Sequence, residues 1–136
     1  MRKVMATALA GVAALAVTAG TAHAEGSRKT YISNWATSTE SSRWTDNQVD
    51  SKQTSVTFRS CKMLSDPDKH ASAYTSLRRD VFGPDDHYGQ RKGTCEGGAY
   101  WSVPRGDKGE FYFTLDRVNG TNVSVHLSAN PVYISW

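Results

Sequence analysis

Short segments of alternating apolar and polar residues are the feature that most constrains the fold of this chain. The alternation has a period of two in TSVTF, FYFTLDRV, NVSVHL and VYISW, and AYWSV repeats it over a shorter length. Such segments place one kind of side chain on each face of an extended chain, and their β-branched and aromatic content favours strands. No long segment has helical periodicity. The sequence therefore predicts an all-β fold, a small antiparallel β-sandwich with jelly-roll or Ig-like topology.

Turn signals separate these segments. Asn119-Gly120 lies between two alternating runs and is a strong hairpin signal, because both turn positions favour positive φ. PRGDKG (residues 104–109) predicts another turn, and Asn130-Pro131 predicts a bend or bulge. Asp66-Pro67 could begin a helix, but the weak helix formers after it favour a single turn followed by a strand to Val81.

The first 24 residues have the composition of a secretory signal peptide. Arg2 and Lys3 form a basic start, an uncharged alanine-rich run follows, and Ala22 and Ala24 occupy the small-residue positions that precede a cleavage site. The apolar run is shorter than a typical membrane-spanning helix. We therefore expect a signal peptide at residues 1–24 and a single secreted, extracellular domain at residues 25–136.

The charge balance disfavours two classes of partner. The chain has 16 Lys and Arg residues against 13 Asp and Glu residues, and loss of Arg2 and Lys3 with the signal would leave 14 against 13. A nearly neutral domain lacks the basic surplus that nucleic acids and anionic membranes attract. We expect neither as a partner, and the sequence does not indicate an oligomeric state.

Cys61 and Cys95 are the only cysteines. In an exported protein, two cysteines most simply form one disulfide, which would remove both thiols from nucleophilic or metal-binding chemistry. Free or intermolecular thiols are the alternative.

Two adjacent carboxylates, Asp85 and Asp86, precede His87 in the segment GPDDHYG. Neighbouring residues of an extended chain point to opposite sides, and no EF-hand spacing of ligands follows. The flanking glycines and proline favour a solvated turn between two strands. A weak calcium site is the alternative.

No motif indicates catalysis. His70, His87 and His126 are scattered without the spacing of zinc ligands, and there is no G-x-S-x-G nucleophile motif. We therefore expect a protein that is not an enzyme and that needs no cofactor.

Aromatic residues are numerous, with four Trp and six Tyr. Exposed rings on a sheet face can stack on sugars or anchor a protein partner. Trp101 and Trp136 are in phase with the apolar faces of their strands and are expected in the core. Trp44, within the polar stretch SSRWTDNQ, is the best candidate for an exposed binding residue. Three tyrosines are weaker candidates: Tyr88, Tyr100 and Tyr112, of which Tyr112 lies opposite the phenylalanine face of its strand.

A second functional hypothesis concerns Lys62, Met63 and Leu64, which directly follow Cys61. A disulfide beside an exposed loop can hold a protease-binding segment rigid. The segment is similar to the Cys-x-Met reactive segment of secreted actinobacterial subtilisin inhibitors, although those proteins carry two disulfides. The simpler interpretation is the end of a strand, with Lys62 solvated and Met63 or Leu64 packed.

The alanine-rich start, LRRDVFGPDDHYG and VPRGDKGEFYFTLDRVNGTNVSVHLS together resemble small secreted actinobacterial β-sandwich proteins. The last of these runs is also similar to accessory β-sandwich domains found after secreted peptidases. The resemblance implies the fold and no particular activity.

The sequence as a whole predicts a secreted binding module whose partner is an extracellular polysaccharide or protein. The alternatives are a serine protease inhibitor acting through the Cys61–Leu64 loop and a small antibacterial toxin.

Overall fold

The computed structural model describes residues 25–66, 71–95 and 97–136. The expected signal peptide, the expected turn at Pro67, and His70 lie outside these residues. The described residues form nine strands: β1 (Ser27–Ala36), β2 (Trp44–Asp46), β3 (Thr54–Phe58), β4 (Lys62–Met63), β5 (Ser72–Asp80), β6 (Asp86–Thr94), β7 (Gly98–Trp101), β8 (Gly109–Val118) and β9 (His126–Ser135). In this part of the chain, no helix is long and apolar enough to cross a membrane.

The strands form two antiparallel sheets. Sheet A has the order β1-β9-β3-β7, and sheet B has the order β2-β8-β5-β6. β3 and β4 pair with successive parts of β9, so they act as one interrupted strand. Counted this way, each sheet has four strands, and the chain changes sheet after every strand except within the β5–β6 hairpin. This is the strand order of a jelly roll, one of the two expected topologies.

The core lies between the two sheets and follows the alternation of the strands. Val56 and Phe58 of β3 are buried, and the Phe58 ring meets Phe113 of β8 edge-on with ring centroids 5.8 Å apart. Trp101 is buried and Trp136 packs against the core, as their positions in the alternation predicted. Large apolar side chains from both sheets fill the remaining space: Leu77, Phe111, Leu115, Leu127, Val132 and Ile134.

Two expected turns and one expected bulge are present in the structure. Residues 81–85 connect β5 to β6, and the turn between β7 and β8 is closed by the Asp107 amide, which donates to the Pro104 carbonyl at 2.9 Å. Asn130-Pro131 is a cis peptide bond inside β9, and the register between β1 and β9 shifts there. The expected bulge is therefore present.

The Asn119-Gly120 turn forms, with positive φ at both residues, but it does not join two strands of one hairpin. Val118 and Thr121 exchange two backbone hydrogen bonds across a single bridge, and the Asn119 amide donates to the Ser72 carbonyl at 2.8 Å. The chain then leaves sheet B for sheet A. The predicted strand NVSVHL is wrong over most of its length, because Ser124 adopts a left-handed φ of 53° and β9 begins only at His126.

The expected disulfide between Cys61 and Cys95 is present, with Cα atoms 5.4 Å apart. Cys61 immediately precedes β4, and Cys95 immediately follows β6. The bond therefore ties an edge of sheet A to the end of sheet B.

Candidate functional site

The outer face of sheet B is covered by its own side chains. Tyr112 was expected to be exposed there, but it is only 2% exposed. The Arg43 guanidinium lies 3.9 Å from the centre of its ring, and its hydroxyl donates a hydrogen bond to Asp85. Burial and this hydrogen bond raise the pKa of Tyr112 to about 12. Tyr112 is therefore a structural residue.

The two adjacent carboxylates have different protein partners. Asp85 accepts from Tyr112, and this hydrogen bond is the main cause of a lowered Asp85 pKa. Asp86 forms an ion pair with Arg79. Among the described residues, no group of three or more His, Cys, Asp or Glu side chains is arranged to hold a metal ion.

A polar hollow of about 220 Å³ also opens on this outer face, beside Glu40 and Asp116. Asp116 accepts hydrogen bonds from Thr114 at 2.7 Å, from Gln90 at 2.8 Å and from Ser76. Glu40 is paired with Arg43 at 2.9 Å. Both carboxylates that line the hollow are thus already engaged within the molecule, whereas the buried Nε of Arg78, which also lines it, makes no hydrogen bond among the described residues.

Tyr88 and Trp44 are also less available than the sequence suggested. The half-buried Tyr88 donates to Asp107 at 2.9 Å, and burial raises its pKa. Trp44 is 2% exposed, so the prediction of an exposed anchor is wrong. It points inward from the edge strand β2, opposite Phe111, with its ring 5.8 Å from that of Trp136. The adjacent Arg43 and Thr45 are not buried, but Ser41, Asp46 and Gln48 of the same polar stretch are, so polarity did not indicate exposure here.

The outer face of sheet A presents three exposed aromatic rings. Tyr31 of β1 is 66% exposed, Tyr100 of β7 is 53% exposed and Tyr133 of β9 is 44% exposed. We call this outer surface the tyrosine face, defined by Tyr31, Tyr100 and Tyr133. Tyr100 was among the expected ligand-binding residues, and its exposure is consistent with that role.

The strand register fixes the layout of the tyrosine face. Tyr133 is paired with Lys29 on one side and with Thr57 on the other, and Thr57 is paired with Gly98 of β7. Tyr100 follows two residues after Gly98 and so points to the same side. Strand spacing and rise place the Cα atoms of Tyr133 and Tyr100 roughly 12 Å apart. This separation suits an extended chain more than a single small ligand.

Gly98 determines where the Tyr100 ring lies. A β-carbon at Gly98 would stand 3.0 Å from two ring carbons of Tyr100 and 2.7 Å from the Thr57 hydroxyl oxygen. The absence of a side chain therefore lets the ring lie over the backbone of β7. The ring is held against the sheet while its other side faces solvent.

A groove runs along β9 on the same face and consists of two adjoining hollows. We call it the β9 groove. The first hollow, of about 330 Å³, is lined by Tyr31, Ile32, Ser33, Ser60, Lys62, Ser128, Ala129 and Asn130. The second, of about 240 Å³, is lined by Asn34, Lys62, Met63, Leu64 and Ser128. Lys62 and Ser128 belong to both hollows, so the two form one continuous depression.

The polar groups of the β9 groove are mostly uncommitted. Ser128 accepts from the Asn34 amide at 2.8 Å and keeps its own hydroxyl proton available. Within the described residues, the side chains of Ser33, Ser60 and Asn130 make no hydrogen bond. Hydroxyl and amide groups beside an aromatic ring, in a concave site, are the usual components of a small-molecule or sugar site.

The hypothetical inhibitor segment forms one wall of this groove. Lys62 and Met63 make up β4, paired with Ser128 and Leu127 of β9. Met63 is buried and accepts a hydrogen bond at its sulfur from Asn119 at 3.2 Å, whereas Leu64 is 67% exposed. The segment is therefore the end of a strand with one packed side chain, and Met63 is not displayed to a protease.

Sequence reasoning missed Tyr31 and Tyr133. The signal for Tyr133 was present, because Val132 and Ile134 are buried on either side of it and alternation directs Tyr133 outward.

Comparisons with protein-family models, with curated proteins and with solved structures find no match.

Proposed function

We propose that this protein is a non-enzymatic binding module that acts outside the cell and holds an extended polysaccharide on the tyrosine face. The observation that carries the proposal is the location of three exposed tyrosine rings and the β9 groove on one side of one sheet. Sheet B supplies the contrast, since Tyr112 is buried there and the Asp116 carboxylate is engaged by neighbouring side chains.

The chemistry of the face suits a sugar chain. Sugar rings have apolar faces that stack on aromatic side chains and hydroxyl edges that need hydrogen-bond partners. Tyr100 and Tyr133 offer ring faces, and the β9 groove offers hydroxyl, amide and ammonium groups. Jelly-roll folds also include lectin domains, which is an analogy at the level of fold alone.

Binding without catalysis is supported by the composition of the face. The strands of sheet A contain no Asp or Glu residue. Hydrolysis of a glycosidic bond normally needs a pair of carboxyl groups flanking the bond. This composition supports a face that holds a glycan without cleaving it.

The test is co-sedimentation of the purified protein with a panel of insoluble polysaccharides and cell walls. Tyr100→Ala and Tyr133→Ala are each expected to weaken binding about tenfold, equivalent to about 1.4 kcal/mol. Tyr74→Ala is the matched control, since Tyr74 is a half-buried tyrosine of β5 in sheet B. Unchanged pelleting of both tyrosine-face variants would refute the proposal, as would the absence of pelleting with every polymer.

A further inference from the structure

The two sheets differ sharply in their charged residues. The strands of sheet A carry three basic residues, Arg28, Lys29 and Lys62, and no acidic one. The strands of sheet B carry charges of both signs in equal number, five acidic residues (Asp46, Asp80, Asp86, Glu110 and Asp116) and five basic ones (Arg78, Arg79, Arg91, Lys92 and Arg117). The strands of sheet A therefore carry a net positive charge, whereas the charges in the strands of sheet B cancel.

The two lysines of sheet A lie on the tyrosine face. Lys29 is directly opposite Tyr133 in the register, with its ammonium 6.0 Å from the centre of that ring. Arg28 is turned away, because it donates to Ser42 at 2.8 Å and to the Arg43 carbonyl at 3.1 Å. Lys29 and Lys62 thus bring positive charge to the two parts of the surface that a bound glycan would cover.

Lys62 has the clearest role. Its side chain lines both hollows of the β9 groove, and neither hollow is lined by a carboxylate. Among the described residues, its ammonium group has no ion-pair or hydrogen-bond partner. An ammonium group beside hydroxyl and amide groups in a depression is arranged to receive an anionic acceptor.

We infer that the β9 groove selects polysaccharides whose sugar units carry a carboxylate, with Lys62 as the residue that recognises it. The inference rests on the proposed function and specifies its ligand class. The sugar hydroxyls meet Ser33, Ser60, Ser128 and Asn130, while the uronate carboxylate accepts hydrogen bonds from the Lys62 ammonium. Lys29 adds a second positive charge beside the stacked ring at Tyr133.

A uronate polymer fits this surface better than a nucleic acid does. Nucleic-acid affinity depends on many simultaneous contacts between phosphates and basic side chains. The strands of the tyrosine face present two lysines, and the groove between them is lined mainly by groups that match sugar hydroxyls. Exposed tyrosines can also stack on bases, so a single-stranded oligonucleotide belongs in the test.

The experiment is calorimetric titration of the purified, oxidised protein with soluble polygalacturonate, alginate and hyaluronate, each compared with its methyl-esterified form. Esterification keeps the sugar backbone and removes the charge. At least one uronate polymer is expected to bind about tenfold more tightly than its ester, the usual effect of a charge-assisted hydrogen bond.

Lys62→Gln is expected to remove this preference, so that the charged polymer and its ester bind with similar affinity. Lys92→Gln is the matched control, because it removes the same charge from β6 on sheet B and should keep the preference. Equal binding of polymer and ester by the wild type, or an undiminished preference in Lys62→Gln, would overturn the inference.

The remaining outcomes separate this inference from the proposed function. Binding of neutral polymers alone, lost in Tyr133→Ala and unaffected in Lys62→Gln, would refute the uronate preference and keep a glycan-binding face. Binding of a thymidine oligonucleotide more tightly than any polymer would refute both, and so would the absence of binding to every polymer.

Discussion

Gly98 offers a test of the tyrosine face at the scale of a single atom. Gly98→Ala adds a methyl group where the Thr57 hydroxyl and the Tyr100 ring already lie within 3.0 Å. The ring or the hydroxyl must move, so we expect glycan affinity to fall severalfold while the fold is kept. Gly106→Ala is the control, since nothing lies within 4 Å of its added methyl group. Equal glycan affinity in the two variants would show that the Tyr100 ring position is irrelevant.

The hydrogen bond between Tyr112 and Asp85 predicts a pH effect on stability. It lowers the Asp85 pKa in the folded protein below the unfolded value of about 3.9. The stabilisation from ionised Asp85 is therefore complete above about pH 4 and is lost as the pH falls through the lowered folded pKa. Tyr112→Phe removes the main cause of that shift.

We expect Tyr112→Phe to lower the free energy of unfolding at pH 7 and to have less effect at pH 2.5, because Asp85 of the unfolded chain is then largely protonated and part of the stabilisation from ionised Asp85 is lost. Urea unfolding at the two pH values measures this difference. An equal loss of stability at both pH values would mean that the hydrogen bond is not coupled to ionisation of Asp85.

At the scale of elements, we expect the disulfide to contribute both to the stability of the fold and to the geometry of the β9 groove. The bond joins residues 34 apart in sequence, and a loop of that length predicts a stabilisation of about 4 kcal/mol from the reduced entropy of the unfolded chain. Cys61 also adjoins β4, which supplies Lys62 to the groove. Cys61→Ser with Cys95→Ser should therefore lower both the midpoint of urea unfolding and the affinity for glycan at temperatures where the variant stays folded. A variant that loses neither would contradict this role.

The elements that sequence reasoning predicted correctly are those in which alternation continues long enough to define a face. β3 and β8 have this property, and their buried residues, such as Val56 and Phe113, are those that the pattern indicated. β2 has only three residues, too few for a period to be visible, so Trp44 was assigned by its polar neighbours and placed on the wrong side. In NVSVHL, the left-handed Ser124 interrupts a pattern that looks regular in sequence.

The candidate site was less predictable because it depends on contacts between distant segments. Tyr112 looks exposed from its strand alone, and only folding brings Arg43 over its ring. Residues of β1, β4 and β9, together with Ser60, line the β9 groove. No local sequence pattern indicates that these distant segments lie side by side. The alternation within β9 is enough to assign Tyr133 to an outer face. The sequence does not indicate, however, which of the two sheets leaves its outer face exposed.

For the whole molecule, the central feature is the difference between the two outer faces of the sandwich. In sheet B, Tyr112 is buried, Tyr74 and Tyr88 are half-buried, and Asp116 is engaged in hydrogen bonds within the sheet. Sheet A exposes its tyrosines and carries only basic charges in its strands. A ligand that depends on aromatic stacking and polar contacts therefore has one suitable face.

The most direct test of this account is mapping of backbone amide chemical shifts during titration with a glycan that the co-sedimentation panel retains. The account predicts that the shifted resonances belong to β1, β3, β4, β7 and β9, with the largest changes near Tyr31, Tyr100 and Tyr133. Shifts confined to β5, β6 and β8, around Tyr112 and Asp116, would place the ligand on sheet B and contradict the account.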